Sequence, residues 1–313
     1  MNKSLIISIP LMFVFLLLPF AAGNGSPLIN AAIHGETAEA QKLIKEGADV
    51  NARYDNGLTA LIFASGFGYK KIVSALLAAK ADPDAQYISG ETALMTASHE
   101  GFSEIVSMLL KAKANPDLQS NKGAAALMLA AQSGHKKIVS MLLKAKANPD
   151  LQSNEGETVL MLAAEKGHKG IVSMLLKAKA NPDLQSNKGG TALIFAAQNG
   201  YKKIVSALLR AKADPNLQND KGGTALAGAA YNGHKEIVAM LLKAKANPDL
   251  QNDKGGTALM IAAEHGHREI VSMLLKAKAD PALQTQGGAT ALSIAEYKKY
   301  SEIADLLIKA GAQ

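Results

Sequence analysis

Seven histidines, no cysteine and no tryptophan leave this 313-residue chain a narrow inventory for chemistry. Without a thiol there is no cysteine nucleophile and no thiolate zinc site. Imidazole is then the side chain best suited to proton transfer or metal binding near neutral pH. Four of the seven, His135, His168, His234 and His267, are separated by multiples of 33 residues, and each directly follows a glycine. A histidine copied into the same place several times answers a demand common to those places, not one reaction. His265 and His267 form an H-x-H pair, and His99 falls close to the place of His265 one period class away, but no carboxylate cluster accompanies them. No metal site is therefore expected. The pairs Gly189-Gly190, Gly222-Gly223 and Gly255-Gly256 lack the Lys-Ser/Thr that completes a phosphate loop, so they are turn glycines. Catalysis needs a nucleophile, a base and a stabiliser converging in one pocket. The pattern offers no such constellation: no catalytic residue, cofactor or small-molecule substrate is expected.

The elements that carry these residues repeat without interruption. Gly57, Gly90, Gly123, Gly156, Gly189, Gly222, Gly255 and Gly288 are each 33 residues apart, the mark of stacked structural repeats. Around each the same order recurs: a polar turn, a [TA]-[AV]-L segment, an alanine-rich stretch, a glycine followed by His or an aromatic, then IV-x-x-LL. In one copy Thr92 caps a short helix that runs to about Glu100, and Gly101 ends it. Ile105, Val106, Leu109 and Leu110 then mark the apolar face of a second helix. Asn115-Pro116-Asp117 and Ser120-Asn121-Lys122-Gly123 are turn chemistry and predict a projecting hairpin-like loop. Composition agrees: with 48% apolar but only 4% aromatic residues, the core must be many small, similar helix contacts.

A turn and two helices in 33 residues, with T-A-L, A-A, G-H, I-V and L-L at fixed offsets, resembles the ankyrin repeat. The resemblance implies an all-α repeat solenoid of stacked helix-turn-helix units with β-hairpin-like loops, about nine units filling residues 24–313. The first unit is degenerate, with Leu28, Ala31 and Gly35 in place, and the last mixes Ile303, Leu306, Leu307 and Ile308 with charged residues, as terminal caps do. It also implies a non-enzymatic module that binds a partner protein through a concave face made of hairpin tips and the exposed side of the first helices. The matching positions here are Phe67, Tyr87, His99, Lys122, Gln132, Glu165, Lys166, Gln198, Tyr231, Glu264, His265 and Tyr297. They vary between units while the apolar offsets do not. Exposed aromatics are favoured contact residues, so Phe67, Tyr87, Tyr231 and Tyr297 carry the most weight.

Two features depart from the family pattern. The usual T-P-L-H opening is T-A-L here, without its proline or histidine. The glycine that commonly follows the second helix survives only as Gly47 and Gly311; Lys80, Lys113, Lys146, Lys179, Lys212, Lys245 and Lys278 take its place. If the backbone there stays left-handed, each lysine costs about 1 kcal/mol relative to glycine. Recent copying from one ancestor explains such a series, and so does a ladder of ammonium groups. Lys111, Lys144, Lys177, Arg210, Lys243 and Lys276 lie two residues earlier, so the cations would recur about every 10 Å, the helix packing distance. An anionic polymer or surface is the alternative partner on that reading.

The chain opens with Lys3, an apolar stretch from Leu5 to Phe20 and small residues from Ala21, the layout of a secretory signal peptide cleaved near Gly23. Residues 1–23 are accordingly assigned as a leader, and the mature chain is expected to be secreted or periplasmic and monomeric. Contact with a membrane is expected only if the leader is retained. Net charge is +7, or +6 once Lys3 leaves, which aids solubility without naming a partner.

Overall fold

Threonine fixes where seven of the nine first helices begin. The Thr92 hydroxyl accepts a hydrogen bond from the Met95 amide at 3.3 Å, and Thr59, Thr158, Thr191, Thr224, Thr257 and Thr290 do the same three residues ahead. The computed structural model describes residues 26–312; the leader assigned to 1–23 lies outside the described residues. Among these the chain forms eighteen helices and no strands. Isolated antiparallel bridges such as Arg53 with Thr59 and Gln86 with Thr92 mark the hairpin-like loops. No helix of the described residues is long and apolar enough to cross a membrane.

The chain divides into two compact units, one ending at Asn154 and the other starting at Glu155. The first contains α1 (Pro27–His34), α2 (Thr37–Lys45), α3 (Ala60–Gly66), α4 (Lys70–Ala78), α5 (Ala93–Glu100), α6 (Ser103–Lys111), α7 (Ala126–Gln132) and α8 (Lys136–Lys144). The second contains α9 (Val159–Glu165), α10 (Lys169–Lys177), α11 (Ala192–Gln198), α12 (Lys202–Arg210), α13 (Ala225–Tyr231), α14 (Lys235–Lys243), α15 (Ala258–Glu264), α16 (Arg268–Lys276), α17 (Ala291–Tyr297) and α18 (Ser301–Lys309). Each odd helix and the even helix after it form one repeat: four repeats in the first unit and five in the second.

Within each unit, odd helices pack on odd helices and even on even. Alanines such as Ala97, Ala130, Ala196 and Ala229 are fully buried, and their size lets neighbouring odd helices approach closely. The even helices supply the larger payload: Ile105, Val106 and Leu109, and their equivalents from the second repeat to the eighth, are sealed from solvent. Burying each such side chain stabilises by roughly 1.5–3 kcal/mol. Ion pairs such as Lys235 with Glu269 at 2.8 Å and Arg268 with Glu302 at 2.9 Å link successive even helices on the surface. The Lys235 ammonium holds the Glu269 carboxyl below the ordinary range. Exposed as they are, such pairs add little.

The hairpins are stitched by side chains whose role the period alone does not disclose. The Asp84 carboxylate accepts from the Asn115 amide of the next repeat, Asp117 from Asn148, and Asp249 from Asp280, each at 2.8 Å. Gln119 donates both to the Gly123 carbonyl of its own hairpin and to the Gln152 carbonyl of the next; Gln218 and Gln251 repeat this. Two odd helices lack a side-chain cap: α1, where Ser26 makes no cap bond, and α7, where Ala125 stands in the place that seven other repeats fill with threonine. The framework has room for threonine there, since Thr92 and Thr158 are buried at the same place. Ala125→Thr is expected to stabilise the protein by about 1 kcal/mol. Urea melts of the two proteins check this, and a lowered midpoint would refute it.

Candidate protein-binding face

In seven repeats the odd helix ends in a tight turn whose glycine is held by a ring of the next repeat. Gly101 has φ 88°, and the ring of His135 lies over it, so that a Cβ there would meet His135 Cε1 at 2.7 Å. Tyr69 covers Gly35, Phe102 covers Gly68, Tyr201 covers Gly167 and His234 covers Gly200 in the same way. The histidines then bond backward across the repeat: His135 Nε2 donates to the His99 carbonyl at 2.8 Å, His234 Nε2 to Gln198 and His267 Nε2 to Tyr231, both at 3.2 Å. The repeated imidazoles are thus a stacking device. His265 Nδ1 is likewise occupied, 3.0 Å from the Ile261 carbonyl.

In the first unit the expected contact residues separate by environment. Tyr87 is not an exposed aromatic. It is only 8% exposed, its hydroxyl donates to the Glu91 carboxylate, and burial, with Glu91 adding to it, pushes its pKa above the ordinary tyrosine range. The hairpin turns so that the neighbouring Ile88 faces solvent instead, at 75% exposure. Phe67 is half-buried, its ring 5.8 Å from that of Tyr69. His99 is half-buried with Nδ1 3.0 Å from Glu100 Oε1. Lys122 is exposed at a hairpin tip and Gln132 half-buried at the end of α7.

The second unit brings more of the expected residues together. Tyr231 is 54% exposed and its ring lies 4.3 Å from that of His265 on the next repeat. Glu264 is exposed and 3.9 Å from Lys298, while Tyr297, at 84%, is the most exposed of the large apolar side chains. Gln198 is exposed, one repeat before Tyr231. Glu165 is half-buried beside the exposed Lys166.

In both units a lysine follows most of the even helices, apart from the inter-helix turns. Lys80, Lys113, Lys146, Lys179, Lys212, Lys245 and Lys278 have φ between 63° and 67°, and all are exposed. An eighth left-handed lysine, Lys299 at φ 61°, replaces the inter-helix glycine in the last repeat.

Comparison with protein-family models matches "Ankyrin repeats (3 copies)" over residues 10–87, 79–152, 145–219, 195–285 and 226–313. A search of curated proteins found no match. Helix pairs of 33-residue period, capped by threonine and joined by hairpins, agree with that match. Ankyrin repeats form protein–protein interaction scaffolds that are generally non-enzymatic, and it is to this family that the chain belongs.

Proposed function

We propose that the chain is exported through a cleaved leader and acts outside the cytoplasm as a scaffold, binding one partner protein on the face that carries the hairpin tips and the exposed ends of the odd helices. One observation carries this reading. Buried positions are almost uniform from repeat to repeat, whereas one column at the odd-helix ends runs His99, Gln132, Glu165, Gln198, Tyr231, Glu264, Tyr297. Packing imposes no common residue there, and two of the seven are exposed tyrosines, a residue type that dominates binding energy at interfaces. The test is affinity capture from the source organism's envelope and surroundings with residues 24–313 as bait, at low and high salt. A single protein retained at high salt is the expected result. Failure to retain any protein would overturn the scaffold reading.

A second reading is favoured by the lysine edge. Its cations are exposed, repeated and outside every ion pair between described side chains, which suits an anionic polymer. Counterion release makes such binding fall steeply with salt. Recovery of anionic polymers alone, lost at high salt and lost also when Lys212, Lys245 and Lys278 are changed to Gln, would favour it over the protein partner.

A further inference from the structure

The third repeat of the second unit breaks its own pattern on the odd helix. Ala227 and Gly228 stand where neighbouring repeats of that unit carry Met161-Leu162, Ile194-Phe195 and Met260-Ile261. Nothing in the packing demands the glycine. Gly228 lies inside α13 with helical φ, and a Cβ there would meet only Gln198, at an ordinary 3.5 Å. A glycine in a helix interior destabilises, so its presence without a steric reason points to the space it leaves.

That space is open and apolar. Met161 and Leu162 are sealed, whereas Ala227 and Gly228 are half-exposed, as are Phe195 before them and Ile261 after them. The preceding repeat shows what the framework holds when this place is filled. There the Phe195 ring lies over the hairpin residue Gly190, so close that a Cβ would meet Phe195 Cζ at 2.7 Å, and Gly190 is buried. Gly223 takes the place of Gly190 one repeat on. It is half-exposed, and only Asn219 of its own hairpin lies near. Relative to the previous repeat, the side chain missing here is about the size of a benzyl group. On the helix side its rim is uncharged: Gln198, the exposed Tyr231, and Asn232, whose amide donates to the Gln198 and Gly228 carbonyls at 3.1 Å; on the hairpin side the exposed Asp220 and Lys221 carry opposite charges. The nearby charges of Glu264 and Lys298 face each other.

We propose that this hollow, between Phe195 and Ile261 over Ala227 and Gly228, receives one Phe or Leu side chain from an uncharged segment of the partner protein and anchors it. The inference rests on the scaffold reading. The apolar floor takes the side chain, as Phe195 is taken by its own repeat, while the amide and hydroxyl groups of the rim suit the flanking peptide backbone. Such a pocketed anchor inside a polar rim is where interface energy concentrates.

The test uses the hollow's own filler. A227M/G228L restores the Met-Leu pair of the repeat that starts the unit, so it should fold and melt at a higher temperature. N-acetyl-phenylalanine amide, titrated into the isotope-labelled chain, is expected to move the Gly223 and Gly228 amide resonances saturably at about millimolar concentration. N-acetyl-lysine amide should not, and A227M/G228L should show no response at Gly223. A captured partner should bind A227M/G228L at least 10-fold more weakly than the parent. No response to the phenylalanine derivative, or an unchanged response in the filled protein, would overturn the proposal. So would saturable binding of toluene without the derivative, or self-association of the parent that the filling abolishes. Failure of the scaffold reading shows separately, as no protein retained by the parent at high salt. A partner bound equally by both forms would sink the hollow and leave the scaffold standing.

Discussion

Changing Gly101 to Ala is expected to lower stability by about 2–5 kcal/mol. Two effects combine at this one position. With φ at 88° the backbone is left-handed, where an L side chain costs roughly 1–2 kcal/mol. The added Cβ would also lie 2.7 Å from His135 Cε1 and 3.0 Å from Nε2. The imidazole cannot swing aside freely, because Nε2 donates to the His99 carbonyl at 2.8 Å and displacement gives up that bond. Overpacking of this kind costs about 1–3 kcal/mol. Gly47→Ala separates the two effects, since Gly47 is equally left-handed at φ 89° but has nothing within 4 Å of its missing Cβ. It should cost only about 1 kcal/mol. Combining Gly101→Ala with His135→Ala should cost less than the two changes summed, a coupling that a double-mutant cycle measures. Equal losses for Gly101→Ala and Gly47→Ala would show that the ring over Gly101 constrains nothing.

Replacing Lys179, Lys212, Lys245 and Lys278 together by Gly should raise the melting temperature by roughly 5 °C or more. All four are left-handed, with φ between 64° and 66°, at the ends of their even helices. Glycine relieves about 1 kcal/mol of backbone strain at each, from which a few tenths are lost with the lysine's favourable interaction with the helix C-terminus. The sites lie on successive repeats, far enough apart for their effects to add to about 2–4 kcal/mol, which in a protein of this size moves the melting point by several degrees. A calorimetric scan checks the result, and a lower transition temperature would mean that the lysines stabilise by contacts exceeding their strain. The same variant tests the lysine edge, because loss of these four cations must flatten the salt dependence of any polyanion binding.

How much of this was legible in the residues is clearest at the two left-handed positions that follow the helices of each repeat. The period and the turn chemistry located both. They did not explain why one is filled by Lys seven times while the other stays Gly until Lys299. Stacking explains it. After the even helix the space outside Cα is empty, as at Gly47 and Gly311, so a lysine meets only its own backbone strain. Between the helices, a ring from the next repeat occupies the space in which Cβ would lie, as Tyr300 does at Gly266; beyond Lys299 no further ring is described, and there the side chain is tolerated.

The binding residues divide along the same line. Their column was readable, because positions that vary within a copied framework are free of packing demands. Burial was not: Tyr87 and Ile88 are adjacent, both bulky, and nothing in their types says that the tyrosine turns in toward Glu91 and the isoleucine out. The shared place of the histidines was legible from the period, but the acceptors of His135, His234 and His267, the carbonyls of His99, Gln198 and Tyr231, each lie 36 residues away.

By itself, then, the sequence determined the helix pairs, their threonine caps, the apolar stripe of each even helix and the family, because these follow from local propensity and a fixed period. Only the tertiary structure decided which glycines are irreplaceable, which aromatics face solvent, and where Ala227 and Gly228 leave a hollow. Each of those depends on atoms of an adjacent repeat, and the distance between repeats is set by how closely alanine lets the odd helices approach.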